Sequence, residues 1–243
     1  MKRQNDFAGI MGEKYKEAMK VLCPNEMEVT AELARRASAN YNRFDETSLL
    51  DLGCGGGEFL QRLAMPLCVS SKVYLTGIDN SSTMIEKARR QLSLEIAKGK
   101  VRIVQADLME YLQAMNLTGQ TADVITSNFV LHNFTQQERA MIFPLIYQSL
   151  SPNGVLLMED KVARTNPRLH ARDLAEQMKA IESLAQHGMS ELIEPWKQHY
   201  EYDESPERIM TFKTLGETLG LSGFKDVRIS YVPKMEAIVE ARK

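Results

Sequence analysis

Short runs of consecutive apolar residues alternate along this chain with longer stretches in which apolar positions recur every three or four residues. Residues 49–52 (Leu-Leu-Asp-Leu), 72–79 (Lys-Val-Tyr-Leu-Thr-Gly-Ile-Asp), 101–104, 123–127 and 155–159 read as buried strands. Helical spacing marks residues 83–91 and 136–150. In the second of these Ala140, Ile142, Phe143, Leu145, Ile146 and Leu150 are apolar, and Pro152-Asn153-Gly154 ends the helix and turns the chain into the next strand. Strands alternating with helices predict βαβ units and a parallel sheet, an α/β architecture.

This core spans residues 47–161. Before it, residues 1–46 form a helical segment with Ala31, Leu33, Ala34 and Ala37 at helical spacing, expected to pack beside the sheet. After it, residues 162–204 are too long for a simple connection. Asn166-Pro167 opens a helix there, Leu174, Met178, Ile181 and Ala185 form its stripe, and Gly188 stops it. A second piece, 191–202, carries Trp196, His199, Tyr200 and Tyr202, and the insertion is read as a helical lid. Residues 205–243 close the fold. Ser205-Pro206 is expected to open a helix with Ile209, Phe212, Leu215 and Leu219 inward, ending at Gly220. Residues 225–232 and 235–241 follow as an antiparallel hairpin around Pro233-Lys234.

The first strand runs into Gly53-Cys54-Gly55-Gly56-Gly57, and a helix starts directly afterwards. Glycine lets the backbone turn sharply and lie against a ligand, and the helix start offers unpaired N–H groups. A dinucleotide fingerprint needs a third small residue three positions after its second glycine. Counting from Gly53 that place is Glu58, and from Gly55 the pattern fails at Leu60, so the fingerprint is not met. What is met is Gly53-x-Gly55-x-Gly57 with Asp51 before it. Further polar strand ends follow at Asp79-Asn80, Asp107-Leu108 and Asn128-Phe129, so one crevice at the carboxyl edge of the sheet collects them all.

This pattern resembles class I S-adenosylmethionine-dependent methyltransferases. The resemblance implies a Rossmann-like, mostly parallel seven-stranded sheet with a C-terminal antiparallel hairpin, and S-adenosylmethionine as cofactor. It assigns the glycine loop (Asp51, Gly53, Cys54, Gly55, Gly57) to that ligand, with Cys54 as a small residue facing it. It gives Asp79 the ribose, with Asn80 and Met84 nearby, while Asp79, Ser81 and Ser82 each remain open as the cap of the next helix. Asp107 and Leu108 fall where the family binds adenine, and Asn128 and Phe129 at the cofactor's amino-acid end. Residues 78–86, 128–131, Glu138-Arg139, 146–154, 188–192 and Gly223-Phe224 look like the carboxy-S-adenosylmethionine synthase branch. Two departures stand out. That branch's carboxylate-binding arginine falls at or near Gln198, and a cofactor-contacting tyrosine near Glu26. A neutral amide and an acid do not replace an arginine fork.

For the acceptor, His132 and Glu159 are the candidate catalytic groups and Trp196, His199 and Tyr200 a candidate substrate wall. Each has a packing role as its alternative. Glu159 can also cap the sheet edge, and His170 and His187 read as solvated. No metal-ligand spacing is evident, so no metal is expected. With 243 residues, 44% hydrophobic content and a net charge of −2, the chain can bury a full core and has no bulk attraction for nucleic acid or anionic membrane. Residues 1–6 lack the apolar run of a secretion signal, and Cys23, Cys54 and Cys68 suit a reducing cytoplasm. A homodimer is left open. Three readings follow: methyl transfer to an oxygen, nitrogen or carbon of a small molecule; a cofactor-modifying enzyme of the synthase type, with Lys161, Arg164 or Arg168 replacing the arginine; and a non-catalytic cofactor-binding partner protein.

Overall fold

The computed structural model describes residues 10–41, 46–64, 72–232 and 235–243. Along the chain run α1 (Ile10–Glu13), α2 (Tyr15–Leu22), α3 (Glu26–Tyr41), β1 (Thr47–Leu52), α4 (Glu58–Ala64), β2 (Val73–Asp79), α5 (Ser82–Gln91), α6 (Ser93–Ala97), β3 (Val101–Gln105), α7 (Leu108–Thr118) and β4 (Ala122–Asn128). Then come α8 (Gln136–Ser149), β5 (Leu150–Lys161), α9 (Pro167–Ser183), α10 (Ile193–Asp203), α11 (Phe212–Leu221), β6 (Lys225–Val232) and β7 (Glu236–Arg242).

Seven strands form one sheet in the order β3-β2-β1-β4-β5-β7-β6. The first five pair in parallel, and β7 runs antiparallel to both β5 and β6. This is the sheet implied by the methyltransferase resemblance. Alternation along β1 divides its apolar side chains between two cores. Leu49 packs with Leu33 of α3, Leu60 of α4 and Ile85 of α5, whereas Leu50 and Leu52 pack with Leu112 of α7, Ile142 and Ile146 of α8 and Leu215 of α11. A third cluster joins Met19 and Leu22 of α2 to Ile181 of α9 and to Trp196 and Tyr200 of α10. The insertion after β5 thus docks on the N-terminal helix α2, while α3 lies against β4 and β5.

Several local expectations need correction. The helix placed at Ser205-Pro206 starts only at Phe212, where Thr211 caps it by accepting from Thr214 N–H. The intervening carbonyls are taken by other partners: Arg139 donates to Arg208 and Ile209, and Ala163 N–H donates to Met210 O. Met210, not Ile209, is the buried residue there, and the helix runs one residue past Gly220. Pro152-Asn153-Gly154 lies inside β5 as a bulge, because Ala122 pairs with Leu150 and Val124 already with Val155. Asn153 has φ +64° there. The fully buried side chains of α9 are Asp173, Gln177 and Ile181, with the predicted stripe residues Leu174 and Met178 half-buried against the same cluster and Leu184 following. Gln177 Nε2 donates to Tyr200 Oη at 2.6 Å, and Ala185 and Ala31 face solvent. Cys68 and the Pro233-Lys234 junction lie outside the described residues.

Candidate functional site

The loop after β1 is fixed to the end of β2. Gly55 N–H donates to Asp79 Oδ2 at 3.0 Å, and Ser81 N–H to Asp79 Oδ1 at 2.8 Å. Ser81, not Asp79, caps α5 through Met84 N–H. Gly53 has φ +68°, and a Cβ there would sit 2.4 Å from Val130 Cγ2, so only glycine fits. A Cβ on Gly55, by contrast, would meet nothing within 4 Å, which leaves that backbone surface open to a ligand. Gly57 opens the next turn, its N–H on Cys54 O at 3.0 Å. Burial raises the Asp79 carboxyl above its usual range despite these two donors.

Cys54 does not face the crevice. Its Cβ and Sγ lie 2.9 Å from where a Cβ on Gly77 would stand, within the α3/α4/α5 core, so the side chain fills the gap beside a glycine of β2. Burial pushes its thiol well up, which makes it inert rather than nucleophilic. Asp51 is buried as well and accepts from the Thr126 hydroxyl at 2.7 Å; burial raises its pKa to about 7. Asp107 caps α7 by accepting from Met109 and Glu110 N–H, and the Leu108 side chain is in the core, which leaves its backbone as the part near the crevice. Asn80 is exposed at the end of β2, and Met84 is half-buried on the first turn of α5.

At the end of β4, Asn128 Oδ1 is buried without a hydrogen-bond partner. Phe129 has φ +53°, an uncommon conformation for a residue with a Cβ. Its N–H donates to Glu159 O at 2.9 Å, which turns the chain into the short 3-10 turn Leu131–Asn133. Beside this turn lies a cavity. Its wall comprises Tyr15, Met19 and Cys23 from α2 and its end, Phe129 and His132 after β4, and Trp196, His199, Tyr200 and Asp203 from α10. Lys161 and Glu236 close it at the ends of β5 and β7. Trp196, His199 and Tyr200 line the cavity, and Trp196 and Tyr200 also anchor α10 against α2. Tyr202 points outward, under Arg208.

His132 Nδ1 lies 2.5 Å from Asp160 Oδ1, and Asp160 also accepts from the backbone N–H groups of Leu131 and Lys161. A carboxylate on Nδ1 selects the tautomer that presents Nε2 to the cavity. Burial pulls the His132 pKa down, but the charges of Asp160 and then Asp203 more than restore it, leaving it above the ordinary value. Glu159 is a different case. It is fully buried on the opposite side of β5, its Oε2 is 3.5 Å from Thr30 Oγ1 of α3, and it does not line the cavity. Burial, then Glu236 and Glu26, raise its pKa to about 9. A buried carboxyl with that pKa holds its proton at neutral pH, and its side chain is not among those lining the cavity.

Sequence reasoning missed Asp160, Asp203, Glu236 and the α2 residues. His199 and Asp203 were legible as a pair, since a spacing of four puts both on one helix face. His170 is not solvated but bound to Glu204 at 2.6 Å, and His187 is exposed. The cation candidates separate clearly: Arg168 is exposed, Arg164 is held by Asp173 over the Tyr231 ring, and Lys161 alone of the three reaches the cavity. Gln198 faces solvent, and the buried neighbour at that turn is His199.

A methyltransferase-domain family model matches residues 43–212. Carboxy-S-adenosyl-L-methionine synthases are similar in sequence. That of Trichodesmium erythraeum is 30% identical over 125 residues, 51% of this chain and 46% of its own length. That of Nautilia profundicola is 32% identical over 127 residues, 52% of this chain and 49% of its own. For both, the chain spans about half the length of the relative. The Vibrio cholerae synthase is 26% identical over 183 residues, 74% of this chain and 69% of its own. Among solved structures, magnesium protoporphyrin IX methyltransferase from Synechocystis PCC 6803 with bound SAH superposes with TM-score 0.62 at 16% identity, covering 98% of this chain and 95% of that one. A SAM-dependent methyltransferase from Archaeoglobus fulgidus gives 0.59 at 16% identity, covering 94% and 99%. These two share the fold.

Proposed function

Because the chain belongs to the methyltransferase-domain family, we propose that it transfers a methyl group from S-adenosylmethionine to a small molecule held in the cavity between α2, β4 and α10. The observation that carries this reading is the glycine loop pinned to Asp79, with the cavity beginning where the same strand edge ends at Phe129. The residues fit the cofactor. Gly55 offers an open backbone surface, Asp79 has lone pairs left for two ribose hydroxyls, and Asn128 Oδ1 is a buried acceptor suited to an ammonium group. Asp107 and the Leu108 N–H stand at the adenine end.

When bound, S-adenosylmethionine supplies a sulfonium-activated methyl. The protein's part is to align the acceptor, exclude water and take a proton from a hydroxyl or ammonium acceptor. Tyr15, Phe129 and Trp196 shape the acceptor's surroundings, and His132 Nε2, oriented by Asp160, receives the proton.

The synthase reading is weaker because of Lys161. It is the one cation among the residues lining the cavity, and it is already paired with Asp203 at 3.4 Å and Glu204 at 3.1 Å. An additional carboxylate on the cofactor would also face Asp203 and Glu236. The cytoplasmic placement rests on sparing cysteine use, three residues in 243. Among the described residues no helix is long and apolar enough to cross a membrane.

Mass spectrometry of the ligand that survives purification tests the proposal, followed by detection of S-adenosylhomocysteine release against a panel of phenol, amine and enol acceptors. S-adenosylmethionine or its demethylated product, with acceptor-dependent turnover, is the expected result. A carboxylated cofactor would replace methyl transfer by the synthase reading, and tight binding with no turnover on any acceptor would favour the non-catalytic one.

A further inference from the structure

We propose that His132, His199 and Asp203 form a binding site for a divalent cation of borderline softness, Zn²⁺ foremost, inside the same cavity. His199 and Asp203 stand one turn apart on α10, and the 3-10 turn after β4 brings His132 opposite them. His199 Nε2 is 3.5 Å and His132 Nε2 3.9 Å from Asp203 Oδ2. One ligand atom from each of the three lies within 4.8 Å of the others, a span that metal–ligand bonds of about 2.0–2.2 Å bridge with small side-chain shifts. All three side chains are buried, so the groups are held rather than waving in solvent.

Two independent observations point to a cation. Asp203 Oδ1 is buried with no hydrogen-bond partner, while the carboxylate's other oxygen faces Lys161 and both imidazoles. In addition, His132 Nδ1 is engaged by the Asp160 carboxylate, which is the outer contact that orients metal-binding imidazoles and raises their basicity. Lys161 does not stand in the way. It lies 3.4 Å from Asp203 Oδ2, but Glu204 Oε1 at 3.1 Å and the Tyr200 ring at 4.0 Å keep it partnered when Asp203 turns to a cation.

Two imidazoles with one carboxylate suit Zn²⁺, Co²⁺ or Fe²⁺, whereas Mg²⁺ and Ca²⁺ prefer oxygen throughout. Three protein ligands leave at least one coordination position directed at the cavity. The consequence rests on the methyl-transfer reading: a cation on His132 Nε2 occupies the lone pair that would accept the acceptor's proton, so Zn²⁺ lowers turnover.

The test is a Co²⁺ titration of the full chain after chelator treatment, without S-adenosylmethionine or acceptor. One equivalent is expected to bind with visible ligand-field absorption, and imidazole protons of two histidines are expected to become paramagnetically shifted in the unsubstituted protein. His199→Gln and Asp203→Asn, checked for folding by circular dichroism, should each weaken binding at least about tenfold. Absence of these bands and shifts at millimolar Co²⁺, or bands unchanged in both variants, overturns the site and leaves methyl transfer untouched. Intact Co²⁺ bands with undiminished turnover under Zn²⁺ would support the site and instead remove His132 as the proton acceptor.

Discussion

Asp160, on β5, holds His132 from the turn after the neighbouring strand β4, with its Oδ1 2.5 Å from the imidazole Nδ1 and its Oδ2 2.8 Å from the Leu131 N–H. One carboxylate therefore fixes both the backbone of the turn and the ring orientation. Asp160→Asn keeps the shape but loses the charge and the tautomer preference. Turnover is expected to fall about a hundredfold, within the usual contribution of a positioned base, while the KM for S-adenosylmethionine stays within about twofold. Steady-state kinetics on any acceptor found by the screen checks this, and equal losses in both parameters would make Asp160 purely structural.

Asp79 carries the loop and, in the proposed function, the ribose. Asp79→Ala should cost ~1.5–3 kcal/mol of cofactor binding, the worth of hydrogen bonds to a charged acceptor. Calorimetric titration with S-adenosylhomocysteine reads this directly. Binding at wild-type strength would remove Asp79 from the cofactor site.

Glu159 makes stability depend on pH in an unusual direction for an acid. Its folded pKa is raised to about 9, so between the unfolded value of about 4.3 and about 9 the native state holds a proton that the unfolded chain has lost. Stability then falls as pH rises through that window, by at most about 1.4 kcal/mol per pH unit. Asp51, raised to about 7, adds the same sign over a narrower range. Glu159→Gln removes the larger contribution, and its melting temperature should exceed wild type at pH 8, by about 2–4 °C for each kcal/mol recovered, with the gap closing towards pH 5. A gap independent of pH would rule out this titration as its origin.

Gly53→Ala combines a left-handed φ of +68° with a methyl 2.4 Å from Val130 Cγ2. A loss of about 1–3 kcal/mol is expected in chemical denaturation. Adding Val130→Ala should return the steric part and leave the conformational part, so the double variant falls between Gly53→Ala and wild type. No recovery would place the whole penalty in the backbone.

The sheet and the glycine loop at its edge were legible because their signals are local. An apolar run, three spaced glycines and an acid at the next strand end are neighbours in sequence, and the structure brings Gly55 onto Asp79 accordingly. What was not legible depends on contacts far apart in the chain. Cys54 turns inward because β2 carries a glycine opposite it, and no pattern around residue 54 reveals that. Ser205-Pro206 has the look of a helix start, yet Arg139 and Ala163 claim the carbonyls that follow. The cavity draws α2 and α10 together, so Tyr15 and Trp196 stack at 6.2 Å although the sheet core separates them in sequence. The His199–Asp203 spacing was visible, but its third member comes from the turn after β4.

The bulge at residues 151–154 of β5 lies upstream of Glu159 and Asp160, whose side chains leave the strand on opposite faces. Strand register decides which of the two acids stands behind the histidine, since a one-residue slip exchanges faces. A residue gained or lost in the bulge is absorbed where the pairing is already broken, and Val155–Lys161 keep their partners on β7. After Val155, one residue gained would put the longer Glu159 where Asp160 stands, and one lost would put Lys161 there and Asp160 under α3. The bulge thus acts as an expansion joint: length variation is tolerable on its near side and disabling on its far side.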